Sequence, residues 1–213
     1  MVNKGVFITF EGAEGVGKTT QIKLLAEYLK EQGREVVITR EPGGTELAEQ
    51  LRNIVKYYNG DEPMCDETEA LLFAASRAQH TVNLIIPSLE QGKVVLSDRF
   101  FDSTIAYQGY AREQDIDFLK TIIDYTTRSV KPDLTLLLDL PLKISDERVE
   151  KRADALAAVD RLENEGDKFM TKVREGFLEI AKLEPNRVKI VDASANIEEV
   201  HSQILGILKD VIS

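Results

Sequence analysis

The sequence predicts an α/β protein in which helices flank a parallel sheet. Short apolar runs rich in β-branched residues alternate along the chain with segments whose apolar residues recur at helical spacing. This alternation is typical of βαβ units. The 213 residues suffice for one hydrophobic core, so we expect a single domain spanning 1–213.

Five runs are predicted to be strands: 6–10, 36–39, 94–96, 134–138 and 188–191. The run 134–138 is apolar throughout, which indicates a strand buried on both faces. Helical spacing predicts helices over 18–32, around 47–55, and over 67–90, 115–128, 142–155 and 197–212, with a further helix that ends near 183. The polar stretch 159–166 is predicted to be a mobile loop.

Charge and composition exclude several classes of protein. The formal net charge is −10, and an acidic surface disfavours binding to nucleic acid phosphates. No apolar segment approaches the roughly 20 residues that cross a bilayer, so we expect no membrane partner. The single cysteine, Cys65, cannot form an intrachain disulfide, which fits a reducing compartment. We therefore expect a cytoplasmic protein.

A phosphate-binding motif follows the first predicted strand. Residues 12–19 match G-x-x-x-x-G-K-[ST], and an amphipathic helix follows them. Glycines allow the backbone N–H groups to wrap around phosphate oxygens, Lys18 would bridge the β- and γ-phosphates, and Thr19 would bind Mg²⁺. An ordinary glycine-rich turn is the alternative, which the flanking elements disfavour. The predicted ATP-binding residues are Gly12, Ala13, Glu14, Gly15, Val16, Gly17, Lys18, Thr19 and Thr20.

The motif alone does not separate kinases, GTPases and ATPase motors. The sequence carries no Asn/Thr-Lys-x-Asp base-reading motif after a strand, which disfavours a GTPase. A motor would usually be longer. The short chain therefore favours a small-molecule kinase, with a nucleotide-dependent switch as the alternative outside enzymes.

Charged residues follow the other predicted strands. Arg40 ends the second strand, and Asp98 and Arg99 follow the third. The carboxyl ends of strands in open α/β sheets face the ligand crevice. Arg99 could grip a phosphate bidentately, and Asp98 could orient Mg²⁺ or act on the acceptor. A local ion pair between Asp98 and Arg99 is the competing interpretation.

Two segments could bind a base. Phe73 and Arg77 are four residues apart, so they share a helix face and could stack on a base and bind its edge. Periodicity alone favours a core Phe73 and a solvated Arg77. The stretch 102–110 is rich in hydroxyl and amide groups, which either orient a ligand or belong to a capped surface helix.

Together, these segments resemble the bacterial thymidylate kinase family. The matching segments are Phe10–Thr20, Thr39–Thr45, Leu72–Arg77, Asp98–Phe100, Ser103–Gly109, Lys131–Thr135 and Asp160–Glu163. The resemblance implies a P-loop NTPase-type three-layer fold with a five-stranded parallel sheet flanked by helices, a homodimer, and a mobile lid at about 148–163. It implies phosphorylation of dTMP to dTDP with ATP·Mg²⁺, in dTTP biosynthesis.

The resemblance also assigns roles to residues. Glu14 would contact the sugar 3′-hydroxyl, Phe73 would stack on thymine, and Arg77 would read the base edge. Thr104 and Gln108 would lie near the thymine ring. The implied substrate-binding residues are Glu14, Arg40, Glu41, Arg52, Phe73, Arg77, Arg99, Thr104 and Gln108; the catalytic residues are Lys18, Asp98, Arg99 and Arg152; the Mg²⁺ ligands are Thr19 and Asp98.

The lid departs from the family pattern. The variable positions of the phosphate loop carry no basic residue, and members of that kind use a lid arginine. Leu156 or Ala157 occupies the position where that arginine is expected. The remaining candidates are Arg148, Arg152 and Arg161, and each is equally compatible with an ordinary charge on a helix surface.

Overall fold

A five-stranded, fully parallel sheet forms the centre of the protein, as predicted, in a computed structural model that describes residues 5–145, 161–162 and 165–209. The order across the sheet is β2-β3-β1-β4-β5. The strands are β1 (Val6–Glu11), β2 (Val36–Arg40), β3 (Val94–Asp98), β4 (Leu134–Asp139) and β5 (Val188–Asp192). Each extends a predicted run by one or two residues at its carboxyl end.

Helices cover both faces of the sheet. They are α1 (Lys18–Glu31), α2 (Glu46–Tyr57), α3 (Asp66–His80), α4 (Ile86–Glu90), α5 (Phe101–Thr104), α6 (Ile116–Thr127), α7 (Asp167–Leu183) and α8 (Ile197–Leu208). Two π-helical segments, Thr81–Ile85 and Ile105–Ala111, follow α3 and α5. None of the helices in the described ranges is long and apolar enough to cross a membrane.

The predicted helix over 67–90 exists, but a π-helical turn divides it into α3 and α4. The predicted helix over 142–155 is described only for residues 142–145, which are helical. The predicted lid at about 148–163 lies outside the described residues except for 161 and 162.

Strand β1 lies between β3 and β4, and its side chains are buried on both faces of the sheet. Phe7 packs into one core with α6 and α7, whereas Ile8 and Phe10 pack into the other core with α1 and α8. In this register Phe10 lies beside Asp98 of β3, and Asp98 lies beside Arg40 of β2. The polar residues at the strand ends therefore meet at one edge of the sheet.

The segment 101–111 is buried, which contradicts the surface-helix interpretation. Tyr107 and Ile105 belong to the core, and the segment packs against α7. This approach needs Gly176, because a Cβ at that position would lie 2.8 Å from the Tyr110 side chain. Asp102 is buried in a bidentate ion pair with Arg187, at 2.7 and 2.8 Å. The distant partner Arg187 makes the burial of this polar segment possible.

Candidate functional site

A cavity of about 260 Å³ opens at the carboxyl edge of β1, β2 and β3. Many of the residues that the sequence predicts for a site line it: Glu14, Gly15, Gly17, Lys18, Thr19, Arg40, Glu41, Arg52, Phe73, Arg77, Asp98, Arg99, Thr104 and Gln108. Thr20 and Val16 instead line a neighbouring pocket, which shares Gly15 and Gly17 with the cavity.

The phosphate loop follows β1 and curves tightly beneath this cavity. Gly12 has a φ of 129°, and a Cβ there would lie 2.4 Å from the Leu138 carbonyl oxygen. Lys18 donates to the carbonyl oxygens of Gly12 (3.2 Å) and Ala13 (2.7 Å), so its ammonium lies inside the curve of the loop. Burial, together with the nearby Arg99, lowers the pKa of Lys18. A phosphate group beside this ammonium would favour its charged form.

Two side-chain oxygens that could bind a divalent cation lie close together beside the loop. The Thr19 hydroxyl donates to the Asp98 carboxylate at 3.0 Å, which places both oxygens at the start of α1. Mg²⁺ prefers oxygen ligands and is usually held by one or two protein groups together with phosphates and water. Within the described ranges no group of three or more His, Cys, Asp or Glu side chains could hold a metal ion. The Thr19–Asp98 pair matches the one or two protein groups that Mg²⁺ usually takes beside phosphates.

Arg99 is held in a strained conformation at the floor of the cavity. Its φ is 71°, which is unusual for a residue other than glycine. Its guanidinium donates to Glu14 at 3.0 Å and to Ser103 at 3.1 Å. Glu14 and Glu11 are its ionic partners, so the local pair with Asp98 is not formed. Lys18 and Arg99 together hold the pKa of Glu14 far below its ordinary value.

Arg77 is almost fully buried, so the interpretation of a solvated Arg77 is wrong. Its Nε donates to Glu41 at 2.9 Å, and its Nη2 donates to Thr104 at 2.8 Å. Nη1 is buried beside the cavity and has no hydrogen-bond partner in the described part of the chain. Glu41 also contacts His80 at 3.0 Å, which fixes the carboxylate. Helical periodicity fails here because a carboxylate from the end of a strand pairs with the arginine.

The remaining predicted residues form the rim and the walls. Arg40 is half-exposed and pairs with Glu49 at 2.9 Å. Arg52 donates to the Pro42 carbonyl oxygen at 2.8 Å. Phe73 is half-buried and Gln108 is buried, and both line the cavity.

Sequence reasoning gave no role to several residues that belong to the site. Glu11 is fully buried and accepts from the Phe100 N–H (2.8 Å) and the Ser103 hydroxyl (2.6 Å). The sequence feature that could have identified Glu11 is an acidic residue at the end of a predicted apolar strand. Tyr107 lies under the Arg99 guanidinium, and burial raises the pKa of its phenol to about 12. Lys56 and Met170 also line the cavity and had no signal in the sequence, whereas Leu162 lies in the matching segment Asp160–Glu163 but was given no role.

Of the three candidate lid arginines, only Arg161 lies within the described residues. Arg148 and Arg152 lie outside the described residues. Arg161 donates through its guanidinium to the Glu69 carboxylate and through its backbone N–H to the Lys56 carbonyl oxygen. These contacts fix Arg161 to α2 and α3, beside the wall of the cavity.

Comparison with known proteins gives one consistent family. The family model for thymidylate kinase matches residues 10–204. Thymidylate kinase from Carboxydothermus hydrogenoformans is 46% identical over 206 residues, which cover 97% of this chain and 98% of the relative. Thymidylate kinase from Bifidobacterium longum is 43% identical over 209 residues, at 97% and 98% coverage. The crystal structure of thymidylate kinase from Ehrlichia chaffeensis superposes with a TM-score of 0.77 at 37% identity, covering 96% of this chain and 99% of that one.

The buried Glu11 carboxyl should make stability depend on pH. Burial, together with the nearby Asp102, raises the pKa of Glu11 from 4.5 to about 7. Between these values the folded chain binds the proton more tightly than the unfolded chain, so the free energy of unfolding falls as pH rises. As pH rises from 4.5 to 7.5, we expect the free energy of unfolding of Glu11→Gln to increase by roughly 3 kcal/mol relative to that of the wild type, measured by urea unfolding.

Glu113→Gln is the control for this measurement. Glu113 is exposed, and a hydrogen bond from Lys172 lowers its pKa, so above about pH 5.5 it is ionised in both states. Its difference from the wild type should stay constant from there to about pH 7.5. A constant difference for Glu11→Gln as well would contradict the raised pKa of Glu11.

Proposed function

The chain belongs to the thymidylate kinase family, and we propose that its cavity transfers the γ-phosphoryl group of ATP·Mg²⁺ to dTMP. The chain is a kinase that phosphorylates dTMP to dTDP. The observation that supports the proposed site is that the phosphate loop and the predicted acceptor residues line one continuous cavity. Because dTDP is one phosphoryl transfer short of dTTP, the reaction belongs to dTTP biosynthesis.

The donor occupies the loop side of the cavity. The triphosphate follows the backbone from Gly12 to Thr20, and Lys18 reaches its β- and γ-phosphates. The donor nucleoside extends into the neighbouring pocket between the loop and the start of α8. That pocket supports this placement because it shares Gly15 and Gly17 with the main cavity and is lined by Gln21 and Ala195.

The acceptor occupies the other side. Its base lies between Phe73 and the wall that contains Thr104 and Gln108. Arg99 holds its phosphate, together with Arg40 or Arg52. Glu14, which already contacts Arg99, reaches the sugar 3′-hydroxyl. Donor and acceptor therefore meet above the phosphate loop.

The chemical step is an in-line displacement. A non-bridging oxygen of the dTMP phosphate bonds to the γ-phosphorus as the bond to the β–γ bridging oxygen breaks, and ADP leaves. The attacking oxygen is anionic near neutral pH, so the step needs no strong general base. Lys18 and Arg99 position the phosphates and neutralise charge. Mg²⁺, held by Thr19 and Asp98, would neutralise charge on the donor phosphates.

A lid over 148–163, within a single domain, would close on the donor and exclude water. We assign the catalytic lid arginine to Arg152, with Arg148 as the alternative. Arg161 is the weaker candidate because its guanidinium already pairs with Glu69.

Exposed apolar side chains support a homodimer. Leu71 on α3 is 55% exposed and Phe118 on α6 is 60% exposed. Leu47 and Ile54 on α2 are also exposed, and α3 packs against both α2 and α6. A second copy of the chain would cover this surface. We place the dimer in the cytoplasm.

Lys18→Ala should abolish turnover and leave dTMP binding largely intact. The ammonium acts on the donor phosphates, so kcat should fall by about 10²-fold or more. The two measurements are the production of dTDP and the dissociation constant of dTMP. Assays with dUMP, dGMP and AMP as alternative acceptors test whether the kinase prefers dTMP. The exposed Lys23, also on α1, provides the control Lys23→Ala, which should resemble the wild type. Comparable activity in Lys18→Ala would refute the proposed site.

Arg152→Ala should lower kcat by about 10³-fold with little change in the KM for dTMP, because an arginine of this kind stabilises the transferring phosphoryl group. Arg161→Ala should lower kcat much less. Lys168→Ala, at an exposed position beyond the lid, is the control. If Arg152→Ala and Arg161→Ala both keep kcat near the wild-type value, neither residue is the catalytic lid arginine.

Leu71→Asp should convert the dimer to a monomer, because it places a charge in the proposed apolar interface. Light scattering coupled to size exclusion should give twice the mass of the chain for the wild type and the mass of one chain for the variant. Leu183→Asp, at an exposed apolar position at the end of α7, should remain dimeric. A monomeric wild type would exclude this interface.

A further inference from the structure

Glu69 on α3 is fully buried, yet its carboxylate accepts hydrogen bonds from three side chains. Oε1 accepts from the Gln108 amide nitrogen at 2.8 Å and faces Arg112 Nε at 3.4 Å. Oε2 accepts from Arg112 Nη2 at 3.1 Å and from Arg161 Nη2. The two oxygens therefore have different partners, with an amide on one side and mainly guanidinium groups on the other.

The charge of Glu69 fixes the orientation of the Gln108 amide. Burial alone would raise the pKa of Glu69, but hydrogen bonds from Arg112, Gln108 and Arg161 outweigh it and lower the pKa below its ordinary value. An ionised carboxylate only accepts hydrogen bonds, so the NH₂ end of Gln108 must face it. Gln108 lines the cavity, and its amide oxygen is the end that remains for a ligand.

We propose that Glu69 is a positioning residue that determines base selectivity, because it turns the amide oxygen of Gln108 towards the cavity. The inference rests on the proposed function, in which the acceptor base contacts Gln108. A fixed acceptor oxygen in this wall selects a pyrimidine whose ring nitrogen carries a proton. It opposes a pyrimidine whose ring nitrogen is an acceptor, because two acceptors would then face each other.

Along the edge that would face Gln108 and Arg77, thymine and 5-methylcytosine differ only in the hydrogen-bonding groups at positions 3 and 4. Thymine has an N3–H donor beside the O4 acceptor, whereas 5-methylcytosine has an N3 acceptor beside a 4-amino donor. Arg77 complements O4, because its buried Nη1 can only donate. The methyl group is common to both bases, so a comparison of dTMP with 5-methyl-dCMP isolates the hydrogen-bonding pattern.

The contacts of Arg112 and Arg161 predict the orientation of the new amide in Glu69→Gln. Arg112 Nη2 and Arg161 Nη2 both donate to Oε2, so the new amide would place its oxygen there. Its NH₂ group would then replace Oε1 and face Gln108. Gln108 would have to turn its own oxygen towards residue 69 and present its NH₂ group to the cavity. The substitution preserves the shape of the side chain and reverses the polarity of the wall.

Calorimetric titration of dTMP and of 5-methyl-dCMP into wild-type and variant protein tests this inference. The dissociation constant of 5-methyl-dCMP divided by that of dTMP should exceed one in the wild type. This ratio should fall by about tenfold or more in Glu69→Gln, because dTMP loses one hydrogen bond and a donor then faces its N3–H. Glu69→Gln should change kcat, measured at saturating dTMP, much less than it changes the KM for dTMP.

Glu165→Gln is the matched control, because Glu165 pairs with Arg112 in the same network, and Gln108 has no hydrogen bond to it within the described ranges. Its ratio should stay near the wild-type value. In a Gln108→Leu background, Glu69→Gln should leave the ratio unchanged, since its effect acts through the amide. A wild-type ratio in Glu69→Gln, or an equal fall in the Gln108→Leu background, would overturn the proposal.

A measurement that does not use Glu69→Gln covers the case in which that variant does not fold. The side-chain NH₂ protons of Gln108, assigned by their loss in Gln108→Leu, should exchange slowly with solvent both before and after dTMP is added. Fast exchange in the free protein would overturn the inference. Failure of the proposed function is separable, because it would appear as a wild type that does not phosphorylate dTMP.

Discussion

Carboxylates hold the cationic and amide groups that face the cavity, and two of the three, Glu41 and Glu69, are buried. Glu41 fixes Arg77, Glu14 fixes Arg99, and Glu69 fixes Gln108. Each pairing removes the cost of a buried unpaired charge and also restricts the rotamers of a long side chain. The groups that meet a ligand are therefore ordered before it binds, which lowers the entropy that binding must overcome. A chain with a net charge of −10 can in this way present a positively charged cleft to phosphates.

The parallel sheet makes these pairings possible. Because β1, β2 and β3 run in the same direction and in register, their polar carboxyl ends reach one edge together. Glu11, Arg40 and Asp98 come from three separate parts of the sequence and meet there. The tight approach of Gly12 to β4 places the phosphate loop at the same edge, so the proposed donor and acceptor sides of the cavity share one base.

The wall that the segment 101–111 contributes to the cavity depends on contacts of residues that do not themselves line the cavity. The segment 101–111 carries Thr104, Tyr107 and Gln108, and it is held between the core and α7. The Asp102–Arg187 ion pair fixes its beginning, and the contact with Gly176 fixes its end. The residues that would orient a base are therefore buried polar groups on a segment whose apolar residues belong to the hydrophobic core.

The sequence by itself determined the strands, most of the helices and the phosphate loop, because these depend on patterns and spacings within about 20 residues. It also identified the family and most residues of the cavity, whose roles stay predictions. Only the tertiary structure decided that Arg77 is buried, that Arg161 pairs with Glu69, and which way Gln108 turns. Glu69 and Gln108 are 39 residues apart, and Glu69 and Arg161 are 92 apart. Periodicity reports which face of an element is apolar, but the charge that satisfies a buried polar group comes from another element, and folding alone brings the two together.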